Sequence, residues 1–243
     1  VKRKLIVDVS KRGDTLIDMT VGKAGDLSKW IDARLSFIFG VDIAKDNIEN
    51  RIDGACARYL KMHKKYHSLP RALFAHANSS LNLSSGEAFF SEKGKQIISA
   101  LNGVGPKDRE QLGGGVYRQF GKHRDGFDIV SNMFSIHYFF ENTETFHNFL
   151  QNVPENCKVG GYFIGCCYDG KRIFRKLRQK NENESVFLMS KENTKMWDVK
   201  KLYTSNEFND DESSLGYKID VYQESINKTF SEYLVNFDFL ATA

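Results

Sequence analysis

Along this chain, short apolar runs alternate with stretches in which apolar residues recur every three or four positions, and polar residues punctuate them. Residues 1–9 read as the end of a helix. Residues 15–19 (T-L-I-D-M) form an apolar run of strand length, followed by a turn containing Gly22 and Gly25 and a helical pattern over 26–33. A second run, residues 37–43 (F-I-F-G-V-D-I), predicts another strand. Over residues 44–65, Ile48, Ile52, Ala55 and Tyr59 fall at three- and four-residue intervals between Lys and Arg, so one amphipathic helix is expected. Residues 73–77, 127–132 and 161–167 supply further strands, while 143–153 and a basic stretch opened by Asp169 supply helices. Residues 84–126 carry Pro106 and glycines at 103, 105, 113, 114, 115, 121 and 126, marking an inserted loop around one helix at 92–101. Beyond residue 179 the chain turns polar, and apolar islands at 186–189, 199–203 and 217–222 predict antiparallel strands added to the sheet edge. This alternation predicts an α/β fold with a doubly wound, mostly parallel sheet, its ligands outside the carboxyl ends of the strands.

Composition narrows the class. At 243 residues the chain can bury one sizeable core or two small ones, and 41% hydrophobic with 13% aromatic residues describes a folded protein. No apolar stretch approaches the roughly 20 residues of a membrane span, so no membrane partner is expected. The basic start V-K-R-K-L-I-V-D has too short an apolar run for a signal peptide. Cys56, Cys157, Cys166 and Cys167 show no C-x-x-C spacing and read as free thiols of a reducing compartment, with no metal site expected. The net charge of +4 is compatible with a polyanionic partner without demonstrating one.

The chemistry starts in the first apolar unit. Strand, glycine turn, helix, strand and acid is the layout of a nucleotide-binding βαβ unit. Gly22 and Gly25 let backbone approach a ligand, and Asp42 can accept hydrogen bonds from both ribose hydroxyls. The glycine spacing is neither G-x-G-x-x-G nor G-x-x-x-x-G-K-[ST], which favours an adenosine-type ligand without a pyrophosphate. Asp18 and Asp26 complete the cluster, although each alone also reads as an ordinary turn or capping aspartate. In A-H-A-N-S-S, Asn78 and Ser79 can receive an adenine amine or simply form an Asx turn. Past the fourth strand, M-F-S-I-H-Y-F-F-E offers Phe134, His137 and Tyr138 as flat surfaces for a purine, with stacking worth about 1–3 kcal/mol per base. Phe139 and Phe140 read as core. Glu232, in F-S-E-Y-L-V-N-F, ordinarily caps a helix or faces solvent. Turned into a cleft, it accepts from the N1–H and N2 amine of guanine, a pair adenine lacks.

Taken together these segments resemble the mRNA cap (guanine-N7) methyltransferases, in particular those of large cytoplasmic DNA viruses. D-M-T-V-G-K-A-G-D-L-S-K-W is similar to the family's D-L-x-C-G-K-G-G-D-L-x-K-W. V-D-I-A-K-D-N-I-E-N with D-G-A-C-A-R-Y, F-D-I-V-S-N-M-F-S-I-H-Y-F-F-E and S-E-Y-L-V-N-F follow in the family's order. The resemblance implies a Rossmann-like class I fold dependent on S-adenosylmethionine, which leaves as S-adenosylhomocysteine, and direct in-line SN2 methylation of guanine N7 in GpppN-capped RNA. It implies that Lys2 meets the methionine carboxylate, that Asp18, Thr20, Gly22 and Asp26 line the cofactor turn, that Asp42 holds the ribose, and that Asn78 with Ser79 reads adenine. Met133 and Tyr138 would flank the methionine portion. Phe134, His137, Tyr138 and Glu232 would bind cap guanine, with Lys23 and Arg58 near its phosphates. No residue is expected to transfer a proton; His137, Tyr138 and Glu232 would act by positioning.

Departures from the family pattern are Thr20 and Ala24 in the turn, Asn78 where Asp is usual, and Met133 where Gln is usual. Of the family's F/H-N-x-x-K helix only the last Lys, Lys2, is present, and the terminal aromatic strands are missing. The resemblance therefore implies a single methyltransferase domain over 1–243, with residues 180–231 as edge strands and a lid-like region, excised from a larger cytoplasmic capping enzyme bearing triphosphatase and guanylyltransferase domains. Two rivals stand beside it. One is a methyltransferase for another RNA or a small molecule; the other is a silent scaffold that uses the fold to dock capping subunits.

Overall fold

Runs rich in Val, Ile and Phe become parallel strands, and the amphipathic stretches between them become helices. In the computed structural model, which describes residues 1–66 and 68–243, the chain divides into two compact units, Val1–Met133 with Asn148–Cys166, and Phe134–His147 with Cys167–Ala243. The first unit is built from α1 (Lys2–Val9), β1 (Thr15–Asp18), α2 (Leu27–Asp32), β2 (Phe37–Asp42), α3 (Lys45–Glu49), α4 (Ala55–His63), β3 (Arg71–His76), α5 (Glu92–Leu101), α6 (Arg109–Tyr117), β4 (Phe127–Met133), the later part of α7 (Thr143–Asn156), and β5 (Cys157–Cys166). All five strands are parallel, in the order β3-β2-β1-β4-β5. The strand order reverses between β1 and β4, and doubly wound sheets open a ligand crevice at such a point.

Alternation along the strands sorts the side chains. Leu16, Ile38 and Ile129 join Ile6, Leu27, Trp30 and Ile48 in one buried cluster. Phe37 and Phe39, on either side of Ile38, turn to the opposite face and stack with Phe127, His123 and Phe89. Each such buried aromatic or aliphatic side chain contributes about 1.5–3 kcal/mol.

The expected helix over 44–65 is two helices. Asn50 ends α3, its side-chain oxygen accepting from the N–H groups of Ile52 (2.9 Å) and Asp53 (3.2 Å). Gly54 follows because a Cβ there would stand 2.7 Å from Asn50 backbone atoms. Ile52, expected on the apolar face, is 75% exposed. The glycine-rich insert also holds more helix than expected: Asp108 caps α6, which bends at Gly113 (φ 77°). Helix α7 continues through Pro154 to Asn156, and β5 begins at Cys157, four residues before the expected start.

The second unit contains a short 3-10 helix (Ile136–Phe140), α8 (Gly170–Leu177), β6 (Ser185–Met189), β7 (Lys195–Lys201), β8 (Lys218–Gln223), β9 (Lys228–Tyr233) and α9 (Phe237–Thr242). The antiparallel strands expected at the edge of the parallel sheet pair with one another instead, in the order β6-β7-β8-β9. Their apolar partner is α8, whose Ile173, Phe174 and Leu177 pack with Val199, Ile219, Val221 and Leu234. Asp169 caps α8 by accepting from the Arg172 N–H. Strand β9 (K-T-F-S-E-Y) has too little apolar content to be read from pattern alone.

Candidate functional site

In the first unit, β1 and β2 end on acids. Asp18, the last residue of β1, is 2% exposed and accepts from the Thr20 N–H at 3.1 Å. Burial pushes its carboxyl up to about 7; Asp26 and Asp42 add repulsion, while the Thr20 hydrogen bond and Lys2 oppose the rise. Asp42 ends β2, and its Oδ2 accepts from the Gly22 N–H at 2.8 Å. Its Oδ1 accepts from the Ala44 N–H and the Asn47 amide, each at 2.9 Å. Gly22 holds a left-handed φ of 54°, and so does Ala24, where a glycine would be relaxed. Asp26 is paired with Lys2 at 3.0 Å and Lys29 at 2.9 Å. The Thr20 hydroxyl is buried with no hydrogen-bond partner among the described residues.

Three other sequence-predicted residues belong to this unit: Asn78 and Ser79 follow β3, and Met133 ends β4. Asn78 closes the Asx turn, accepting from the Ser80 N–H at 3.0 Å. The Ser79 hydroxyl donates to the Met19 carbonyl, and Met133 is buried with its sulfur 3.7 Å from Cys166 Sγ. Lys23 is held by Asp53 (2.8 and 2.9 Å) and Asp46 (3.3 Å). Arg58 stands exposed on α4.

The second unit has a pocket of about 410 Å³, lined by Phe134, His137, Tyr138, Tyr168, Phe230 and Glu232 among others. Register explains how a carboxylate comes to be there. Ile219 pairs with Glu232 and Val221 with Phe230, so Glu232 and Phe230 share the face of β9 whose neighbours on β8 are buried. The Glu232 side chain is only 12% exposed, and burial pushes its carboxyl up to about 7. His137 is 6% exposed; burial holds its imidazole near 4, uncharged at neutral pH, with both ring nitrogens lacking hydrogen-bond partners. Its Nε2 lies 3.7 Å from Glu232 Oε1, beyond hydrogen-bond range. Tyr138 meets the His137 ring edge-on, centroids 4.3 Å apart. Phe134, half-exposed, has a φ of 64°, a conformation that is costly without a glycine and concentrates at functional sites.

The structure thus brings Phe134, His137, Tyr138 and Glu232 into one pocket, and gathers Lys2, Asp18, Thr20, Gly22, Asp26 and Asp42 around the strand ends of the first unit. Sequence reasoning missed Tyr168, Gln223 and Phe230. Tyr168 was legible as a ring just past the end of β5, whereas Phe230 depended on recognising β9, which the pattern does not show. Gln223, whose amide donates to the Tyr168 hydroxyl, carried no such signal.

Comparisons with known proteins bear on this arrangement. The profile of the mRNA (guanine-N(7))-methyltransferase domain matches residues 1–243. A probable mRNA-capping enzyme of Acanthamoeba polyphaga mimivirus is 26% identical over 99% of this chain and 19% of its own length. The mRNA cap guanine-N(7) methyltransferase of Saccharomyces cerevisiae is 30% identical over 74% of this chain and 33% of its own. The chain therefore spans a third or less of the length of these curated relatives. A solved S-adenosylmethionine-dependent methyltransferase from Clostridium acetobutylicum is similar in fold at a TM-score of 0.51 and 11% identity, over 99% of this chain and 74% of that one. The parallel sheet with its acid-ended strands is the class I methyltransferase fold, and with the profile match over every residue, this chain belongs to the mRNA (guanine-N(7))-methyltransferase domain family.

Proposed function

We propose that this domain methylates N7 of the guanine in an RNA 5′ cap, using S-adenosylmethionine. The observation that carries the reading is the pocket in which the Glu232 carboxyl stands among the rings of Phe134, His137 and Tyr138. Bound S-adenosylmethionine supplies a methyl group made electrophilic by its sulfonium. The residues of the first unit fit such a ligand: the buried carboxylates of Asp18, Asp26 and Asp42 outweigh Lys2 and Lys29, which favours a cation. Asp42, oriented by three hydrogen bonds, retains lone-pair capacity on Oδ2 for a ribose hydroxyl. The unpartnered Thr20 hydroxyl supplies one more polar contact. Lys2, Gly22, Asn78, Ser79 and Met133, all of the same unit, complete the assignment.

Guanine N7 carries its own lone pair at neutral pH, so no general base is required, and His137 is suited to that. An uncharged, buried imidazole orients and packs the purine without competing for its proton. Ionised Glu232 accepts from N1–H and the N2 amine and stabilises the positive charge that methylation leaves on the ring. Orientation and a fixed, buried carboxylate are then the main contributions of the chain. Lys23 and Arg58 are assigned to the cap phosphates, which for Lys23 means exchanging Asp46 or Asp53 for the ligand. In the full-length protein, triphosphatase and guanylyltransferase domains would provide the capped substrate; the much greater length of the mimivirus relative supports this. Comparing GpppA-capped RNA, uncapped RNA and free GTP as methyl acceptors tests the proposal. Preference for the capped RNA supports it, and equal transfer to the uncapped strand refutes it.

A further inference from the structure

The opposite end of the parallel sheet carries a second arrangement that methyl transfer does not use. Thr15, Phe37 and Arg71 are the first residues of β1, β2 and β3 and stand in register. Two cavities, of about 680 and 440 Å³, open there and share Ser36 in their walls. Strand β2 separates this end from Asp42 by its whole length, roughly 17 Å at about 3.3 Å per residue.

The lining is cationic. Arg12 and Arg34 wall the larger cavity, Arg71 and Lys122 the smaller, and no acidic side chain is among the described residues lining either. None of the four makes an ion pair among the described residues, in contrast to Lys2, Lys23, Lys158 and Lys171, which are all paired. Arg34 holds a φ of +55° at the end of α2, where glycine is the relaxed choice. At the wall of the smaller cavity lies His123, 3% exposed and sandwiched between Phe37 and Phe127 at centroid distances of 4.7 and 4.4 Å. Both of its ring nitrogens are buried without a hydrogen-bond partner among the described residues. A neutral imidazole offers one donor and one acceptor, and burying both unmet is unfavourable. Gln119 adds a side-chain amide to the same wall.

We propose that the amino-terminal end of the parallel sheet is a second binding site, taking phosphate groups through Arg12, Arg34, Arg71 and Lys122, with His123 and Gln119 contacting the ligand from the cavity wall. Two adjoining cavities, each with two cationic side chains, favour successive phosphates of a single-stranded RNA over one isolated anion. Guanidinium forks match phosphate oxygens, and contacts to phosphate carry no sequence information, so these four cations would hold a strand without reading its sequence.

The test is fluorescence polarisation of a labelled, uncapped single-stranded oligoribonucleotide at several salt concentrations, with GTP and inorganic phosphate as competitors. Leaving out the cap separates this site from the guanine pocket: the outcome stands whether or not methyl transfer is observed. The double variant Arg34→Glu/Lys122→Glu is expected to weaken oligonucleotide binding tenfold or more and to flatten the log–log salt slope by about 0.7 for each phosphate that is no longer neutralised. Its methylation of the GpppG dinucleotide stays at the wild-type rate. His123→Phe keeps the ring stack, so it is expected to melt no lower than the wild type while binding the strand severalfold more weakly. Competition by GTP with the same weakening in the double variant, and no advantage for the oligonucleotide, also supports a phosphate site and assigns it to free nucleotides. Binding of every probe unchanged in the double variant overturns the proposal, and unchanged binding in His123→Phe overturns the role assigned to His123.

Discussion

Glu232 Oε1 lies 3.7 Å from His137 Nε2, and at neutral pH the two do not form an ion pair, because burial leaves the imidazole uncharged. The same burial raises the carboxyl to about 7, so the pocket in its free state is poised between a neutral and a singly negative form. Guanine presents two donors and needs the ionised form. On the proposed guanine binding, the ligand would draw a proton off Glu232.

That linkage shapes stability. Glu232 and Asp18 have folded values near 7, above those of the unfolded chain, so the native state holds protons that the unfolded state releases as pH rises from about 4 to 7. Their contribution is fully present below the unfolded values and is lost through pH 7. His137 acts in the other direction: with a folded value near 4, its contribution is present above 6.5 and is lost as pH falls towards 4. Glu232→Gln removes one of these contributions, worth at most about 3 kcal/mol by the shift. The expected result is a Tm difference, variant minus wild type, that grows more positive from pH 5 to pH 8. A difference independent of pH would show that Glu232 is not shifted.

Phe134 combines a strained backbone with a place in the pocket wall, where the proposal has it stack on the ligand. Its φ of 64° is one that glycine adopts freely, so Phe134→Gly trades relief of about 1–2 kcal/mol against the removal of one ring and of chain stiffness. Stability should change by less than about 1 kcal/mol in urea melts, while the KM for capped RNA rises about tenfold as stacking is removed. A large fall in stability with unaltered KM would make Phe134 a packing residue only.

Asp18 sits close to two other carboxylates, and its proton should leave when a cation enters the hollow. Titration calorimetry with S-adenosylmethionine near pH 6.5, in buffers of different ionisation enthalpy, should report release of a substantial fraction of one proton. Asp18→Asn should abolish that release. Buffer-independent heat in the wild type would count against the assignment.

Lys23 is engaged twice, by Asp53 and Asp46. If it turns to the cap phosphates, Asp53→Asn weakens the competitor and should lower the Kd for capped RNA two- to fivefold at low salt, with the gain vanishing at high salt. Weaker binding in this variant would place the phosphates elsewhere.

The pattern of apolar runs was enough to read the strands of the parallel sheet, because buried strands are near-continuous in Val, Ile and Phe. The glycine turn with Asp18 and Asp42 was legible for the same reason that it is specific: few layouts end two neighbouring strands in buried acids. What was not legible depended on tertiary pairing. The break at Asn50 is a side-chain capping event inside an otherwise helical pattern. Strand β9 is polar outside its pairing with β8, and only that register turns Glu232 inward. From the sequence alone Glu232 could equally have faced solvent; its burial comes from Ile219 opposite.

The central claim is that Glu232 recognises guanine and steadies its methylated, cationic form. The most direct measurement is kcat/KM for methyl transfer to GpppA-capped RNA by the wild type and Glu232→Gln, with S-adenosylmethionine affinity measured alongside. The account predicts a fall of about 10²-fold or more, from removal of a buried charge aimed at the purine, with cofactor affinity unchanged and the product identified as 7-methylguanosine. Full kcat/KM in the variant, or a methyl group found elsewhere than on N7, would contradict it.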